Sequence, residues 1–144
     1  MSDYDTDILV WSERQADLLR RREAGELAND TKLDWPNIAE EIESVGRSER
    51  NAVESHLVQS FLHDLKAEAW PLSREVPLWR AEARGQRDDA RRHLTPSMRQ
   101  RIAVAELYRR ARRRLPDTID EVPPLPLPEV CPVTLEELLS GEEL

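Results

Sequence analysis

The densest set of side chains able to do chemistry lies in Ala39-Glu40-Glu41-Ile42-Glu43-Ser44-Val45-Gly46-Arg47-Ser48-Glu49-Arg50. Glu40 and Glu43 stand one helical turn apart and Ile42 marks another face, so this spacing aims a carboxylate toward a helical interior. A buried carboxylate needs a cation or several donors to stay ionised. Arg84 and Arg87, further along the chain, are the candidate cations, and Glu40, Glu41, Glu43, Glu49, Arg84 and Arg87 form a candidate polar network. Such a set suits a structural ion-pair network first and a polar ligand pocket second. General acid-base catalysis ranks below both, because no nucleophile or metal completes it. Ser44 and Ser48 are not in a Gly-x-Ser-x-Gly elbow.

Metal and cofactor signatures are missing from the sequence. His56 and His63 share a helix face but stand about 10.5 Å apart along its axis, too far to ligate one ion. Neither a Glu-x-x-His pair nor an HExxH motif occurs, and four glycines form no phosphate loop. No catalytic, metal or cofactor-binding residue is therefore assigned, and no cofactor is expected. The lone Cys131 can form neither an intramolecular disulfide nor an all-cysteine site, and it reads as a small buried hydrophobe in a reducing compartment. No apolar run reaches membrane-spanning length and the N-terminus opens on acids, so the expectation is a cytoplasmic protein with no membrane role.

Charge is segregated along the chain. Residues 1–73 carry 8 Lys/Arg against 16 Asp/Glu, residues 74–114 carry 13 against 5, and residues 115–144 carry none against 8. Arg91, Arg92, Arg109, Arg110, Arg112, Arg113 and Arg114 make a candidate positive patch. The arginines of this segment either pair with carboxylates inside the fold or between subunits, which is the preferred reading, or present an outward face to nucleic acid or an acidic protein.

Helices must position these groups. Residues 5–24 read as a first helix with Ile8, Trp11, Gln15, Leu18 and Leu19 on one face, stopped at Gly25. A polar turn over Glu26 to Lys32 follows, and Asp34 with Pro36 opens the next helix, whose buried stripe is Ile38, Ile42 and Val45. Gly46 predicts a bend or two helices meeting end to end. From Arg47 to Trp70 the repeat of Val53, Leu57, Phe61 and Leu65 marks a long central helix closed by Pro71. Further helices are expected over 78–94 and, behind a Thr95-Pro96 start, through Leu115. Trp11, Trp35, Trp70 and Trp79 are assigned to packing seams. Six prolines between Pro116 and Pro132 force an extended arm, and Thr134 with Glu137 caps a short terminal helix. The expectation is one all-α domain over 1–144: a compact bundle of about five helices, with residues 116–144 as the arm and terminal helix.

The sequence also resembles the DUF29 family of small bacterial proteins of unknown function. The resemblance rests on Tyr4-x-x-Asp7-x-x-x-Trp11, Gln15-x-x-Leu18-Leu19-Arg20, the segment Asn37 to Arg50, Leu65-Lys66, Trp79, Gln86-Arg87, Pro96-Ser97 and Cys131-Pro132-x-Thr134-x-Glu136-x-Leu138-Leu139. It implies an all-α bundle and supplies no catalytic or binding residues. Ala67 stands where a tryptophan commonly follows Leu-Lys, and Ala83 replaces a larger aliphatic residue, which bears on packing rather than on fold. The function expected is that of a non-catalytic interaction or assembly protein, with a homo-oligomer or another protein as partner. Nucleic-acid association through segment 80–114 is the alternative, and an enzyme with a polar pocket around 40–50 the second.

Overall fold

The computed structural model describes residues 3–26 and 32–141. Its elements are α1 (Asp3–Thr6), α2 (Ile8–Glu23), α3 (Trp35–Ala69), α4 (Val76–His93), α5 (Pro96–Arg101), α6 (Val104–Arg113) and α7 (Leu135–Leu139). Seven helices among the described residues replace the expected count of about five, because two expected helices are divided and two others are fused. Asp7 divides the first: its carboxylate accepts from the Val10 amide at 3.1 Å, restarting the chain as α2. The helix expected from Pro96 stops at Arg101, where Ile102 and Ala103 are extended, and resumes as α6. Gly46 makes no break between two helices, since α3 runs through it. A glycine inside a helix forfeits about 1 kcal/mol of propensity, which a long helix anchored by packing can absorb.

The chain packs as two compact units, Met1–Arg47 and Ser48–Leu144. In the first, α2 ends in a Schellman turn. Gly25, at φ +81°, lets its own amide reach Arg22 O at 3.1 Å and the Glu26 amide reach Arg21 O at 2.9 Å. Trp11, Leu33 and Ile38 form a small core edged by Tyr4, Leu18 and Leu19. The turn expected over 26–32 falls mostly on residues 27–31, outside the described residues, as does the side chain of Ile8. Trp11 Nε1 donates to Asp34 Oδ2 at 3.1 Å, and Asn37 Nδ2 donates to the same oxygen at 2.8 Å. Asp34 thereby holds the start of α3, and these donors, Asn37 foremost, keep its carboxyl below its ordinary pKa.

In the second unit Val53, Leu57, Phe61 and Leu65 of α3 pack with Ala90 of α4, Leu107, Tyr108 and Ala111 of α6, and Leu135, Leu138 and Leu139 of α7. Phe61 and Tyr108 meet edge to face with centroids 5.6 Å apart. The alanines at 67 and 83 are both buried, and Ala67 packs with Trp70 and Trp79. The proline-rich stretch is non-helical and lies along the unit. Leu125 N donates to Ala69 O at 2.9 Å, Trp70 Nε1 to Val122 O at 2.8 Å, and the Tyr108 hydroxyl to Pro128 O at 2.5 Å. Thr134 then caps α7, accepting from the Glu137 amide at 3.2 Å and donating to Glu137 Oε1 at 3.1 Å.

Three expectations about packing are corrected. Ile42 and Val45 are 69% and 65% exposed, so of the expected stripe only Ile38 is buried; α2 covers one turn of that face and no described element covers the next. Trp35 is half exposed, unlike the other three tryptophans. Cys131 is half-buried, with its thiol donating to Val133 O at 3.3 Å, and burial pushes its pKa up.

Candidate functional site

The expected network is distributed over separate partnerships. Arg47 takes Glu40 at 2.5 Å and Glu43 at 3.7 Å, because positions seven and four residues earlier share its exposed helix face. Glu41 accepts from the Tyr4 hydroxyl at 2.7 Å and from Ser44 at 3.3 Å. That hydrogen bond, ahead of burial and the acidic neighbours, raises the Tyr4 pKa. Glu49 stands 4.0 Å from His93, and Arg84 is exposed.

Arg87 has a different carboxylate. Spacing places it with Trp79, Ala83 and Ala90 on the buried face of α4. There its Nη1 donates to Asp64 Oδ2 at 2.8 Å and to Ser60 Oγ at 3.1 Å, both on α3. Arg80 Nη1 donates to the other oxygen, Asp64 Oδ1, at 2.8 Å. Arg87, Asp64 and Ser60 are fully buried, and among the described residues Nε and Nη2 of Arg87 have no hydrogen-bond partner. Two guanidiniums on one carboxylate make a cross-brace between α3 and α4. Sequence reasoning named Arg87 and missed Asp64, Ser60 and Arg80. The available signal was that Ser60 and Asp64 interleave with Leu57, Phe61 and Leu65 on a helix face otherwise wholly apolar. On the same pair of helices His56 Nδ1 bonds Gln86 Oε1 at 2.7 Å and His63 Nε2 lies 3.0 Å from Glu82. Burial outweighs Glu82 and lowers the His63 pKa.

The candidate positive patch is largely paired. Arg91 bonds Asp88 and, through Nε, Leu139 O at 2.6 Å; Arg92 bonds Asp89. Arg109 Nε reaches Glu106 at 3.1 Å, Arg113 the same carboxylate at 3.5 Å, and Arg110 reaches Glu54 at 3.7 Å. The Arg109 hydrogen bonds hold the Glu106 carboxyl below its usual pKa. Arg112 and Arg114 make no ion pair among the described residues. Also among the described residues, no three His, Cys, Asp or Glu side chains converge as a metal-ligand set, and no helix is long and apolar enough to cross a membrane.

Two depressions flank the arm in the second unit and share Leu125. One, about 590 Å³, is bordered by Arg109, Arg112, Arg113 and the Pro124–Leu127 segment. The other, about 370 Å³, lies between the end of α3 and the turn at Ile119–Val122.

Comparison with curated proteins gives no match. Among solved structures, an alpha-helical protein of unknown function from Rhodospirillum rubrum is similar, with a TM-score of 0.68 and 29% identity over 96% of this chain and 90% of that one. The model of the family described as "Domain of unknown function DUF29" matches residues 4–143, nearly the whole chain, and the protein belongs to that family.

Proposed function

We propose that the protein is a non-catalytic interaction or assembly protein of the bacterial cytoplasm, and that its docking face is the exposed apolar turn of α3 at Ile42 and Val45. One observation carries this reading: the exposure of Ile42 and Val45, 69% and 65%, within the motif Asn37 to Arg50. At about 100° per residue Ile42 and Val45 stand within roughly 60° of each other, so a single partner surface can cover both. Contiguous exposed apolar side chains of this size mark interaction sites more often than solvent-facing decoration.

The nucleic-acid alternative needs an outward and unpaired arginine face, whereas Arg87, Arg91, Arg92, Arg109, Arg110 and Arg113 sit on carboxylates of the same chain. The enzyme alternative needs free carboxylates in the motif, whereas Glu40, Glu41 and Glu43 are engaged by Arg47 and Tyr4. The test is site-specific photo-crosslinking from position 42 in cells of the source organism. A protein adduct is expected, and its mass reports whether the partner is a second copy or another chain. A protein that crosslinks to nothing, in cells or concentrated and pure, overturns the reading.

A further inference from the structure

The 370 Å³ cavity beside Trp70 has the size of a small-molecule site and a built wall. Its apolar lining comes from Trp70, Leu72, Ile119, Val122 and Leu125. Its other wall is a two-residue turn in which Ile119 and Val122 exchange backbone hydrogen bonds at 3.1 and 2.9 Å. The two central residues, Asp120 and Glu121, have φ of +51° and +64°, a conformation normally left to glycine, asparagine or aspartate, so Glu121 is the unusual one. Consecutive left-handed non-glycine residues are strained, and such strain collects at ligand clamps. The turn is held in place regardless: Trp70 donates to Val122 O, and Leu125 donates to Ala69 O.

Two opposite charges line this apolar space, Arg74 from the α3–α4 connection and Asp120 from the strained turn. Among the described residues neither makes an ion pair, with the other or with anything else. A hydrophobic monoanion would leave Asp120 opposed, and a hydrophobic amine would leave Arg74 opposed. A ligand complementary to all three features has an apolar body and a zwitterionic head.

We propose that this cavity binds a free α-amino acid with a large apolar side chain, its carboxylate on Arg74, its ammonium on Asp120 and its side chain against Trp70 and Leu125. The probes are L-phenylalanine and L-leucine, titrated calorimetrically into the full-length protein. Saturable binding of at least one is expected, weakened at least about tenfold in Arg74→Gln and in Asp120→Asn, each losing a charge-assisted hydrogen bond. Asparagine tolerates a left-handed φ, so Asp120→Asn removes the charge while keeping the turn. On the wild-type protein 3-phenylpropanoate, which lacks the ammonium, and phenylalaninamide, which lacks the carboxylate, should each bind at least about tenfold more weakly than phenylalanine. Absence of binding by both amino acids, equal binding by either analogue, or binding unaffected by both substitutions overturns the proposal.

Discussion

Removing Asp64 should be the most damaging single polar change in this protein. Its carboxylate is fully buried and is the only charged partner of the fully buried Arg87 among the described residues; Ser60 is the one other group that guanidinium bonds. Asp64→Ala therefore strands a buried cation whose Nε and Nη2 are already without partners. Breaking a buried pair from one side costs about 3–5 kcal/mol, against a total stability of about 5–15 kcal/mol. At roughly 4 °C per kcal/mol for a chain of this size, the melting temperature should fall by about 12–20 °C. The second arm, to Arg80, adds less because Arg80 reaches solvent, where screening weakens an ion pair. The double variant Asp64→Val with Arg87→Met should recover most of the loss, since an apolar pair of similar bulk strands no fully buried charge; Ser60 loses one donor and Arg80 keeps its access to solvent. Calorimetric melting of Asp64→Val, Arg87→Met and the double variant measures the coupling. If Asp64→Ala costs under about 1 kcal/mol, or the double variant is no better than the worse single, the brace does not stabilise the α3–α4 packing as argued.

Three further outcomes are expected. Gly25→Ala should destabilise by about 1 kcal/mol in chemical denaturation purely through its positive φ, because an added Cβ would meet nothing within 4 Å; an unchanged midpoint refutes this. Tyr108→Phe should cost about 1 kcal/mol by leaving Pro128 O without its donor, and should raise amide exchange along the arm more than in α4. His63 is held neutral by burial below its ordinary pKa of 6.5, so the unfolded chain takes up the proton first as pH falls. Its contribution is intact above pH 6.5 and is lost as pH drops from there through the folded-state pKa. Urea midpoints compared at about pH 7.5 and about pH 5.5 should show a smaller acid loss in His63→Gln than in the wild type, and equal losses rule out His63 as the source.

Much of the local architecture was legible before any coordinates. Pro71 closes α3 at Ala69, Gly25 stops α2, Thr134 caps α7, and the prolines keep the arm out of helix, because each effect acts within about one turn of the residue responsible. The candidate site was legible only in fragments. Arg87 reads in the sequence as a candidate cation for a buried carboxylate, but that carboxylate is sought among Glu40, Glu41, Glu43 and Glu49. Those acids look reactive because they cluster in sequence, and Glu40, Glu41 and Glu43 are accounted for by Arg47 and Tyr4. Asp64 was overlooked because a single acid within an apolar helix announces its burial but not its partner.

What the sequence by itself determined is the all-helical class, the family, most of the helix termini and the extended arm. Each follows from residue type, periodicity or motif along one stretch of chain. What only the tertiary structure decided is which apolar faces are covered and which charges meet. Ile38 and Ile42 carry the same periodic signal, yet one is buried and the other exposed, because burial depends on whether another element reaches that turn. Periodicity fixes the direction in which a side chain points; the path of the rest of the chain fixes what it finds there.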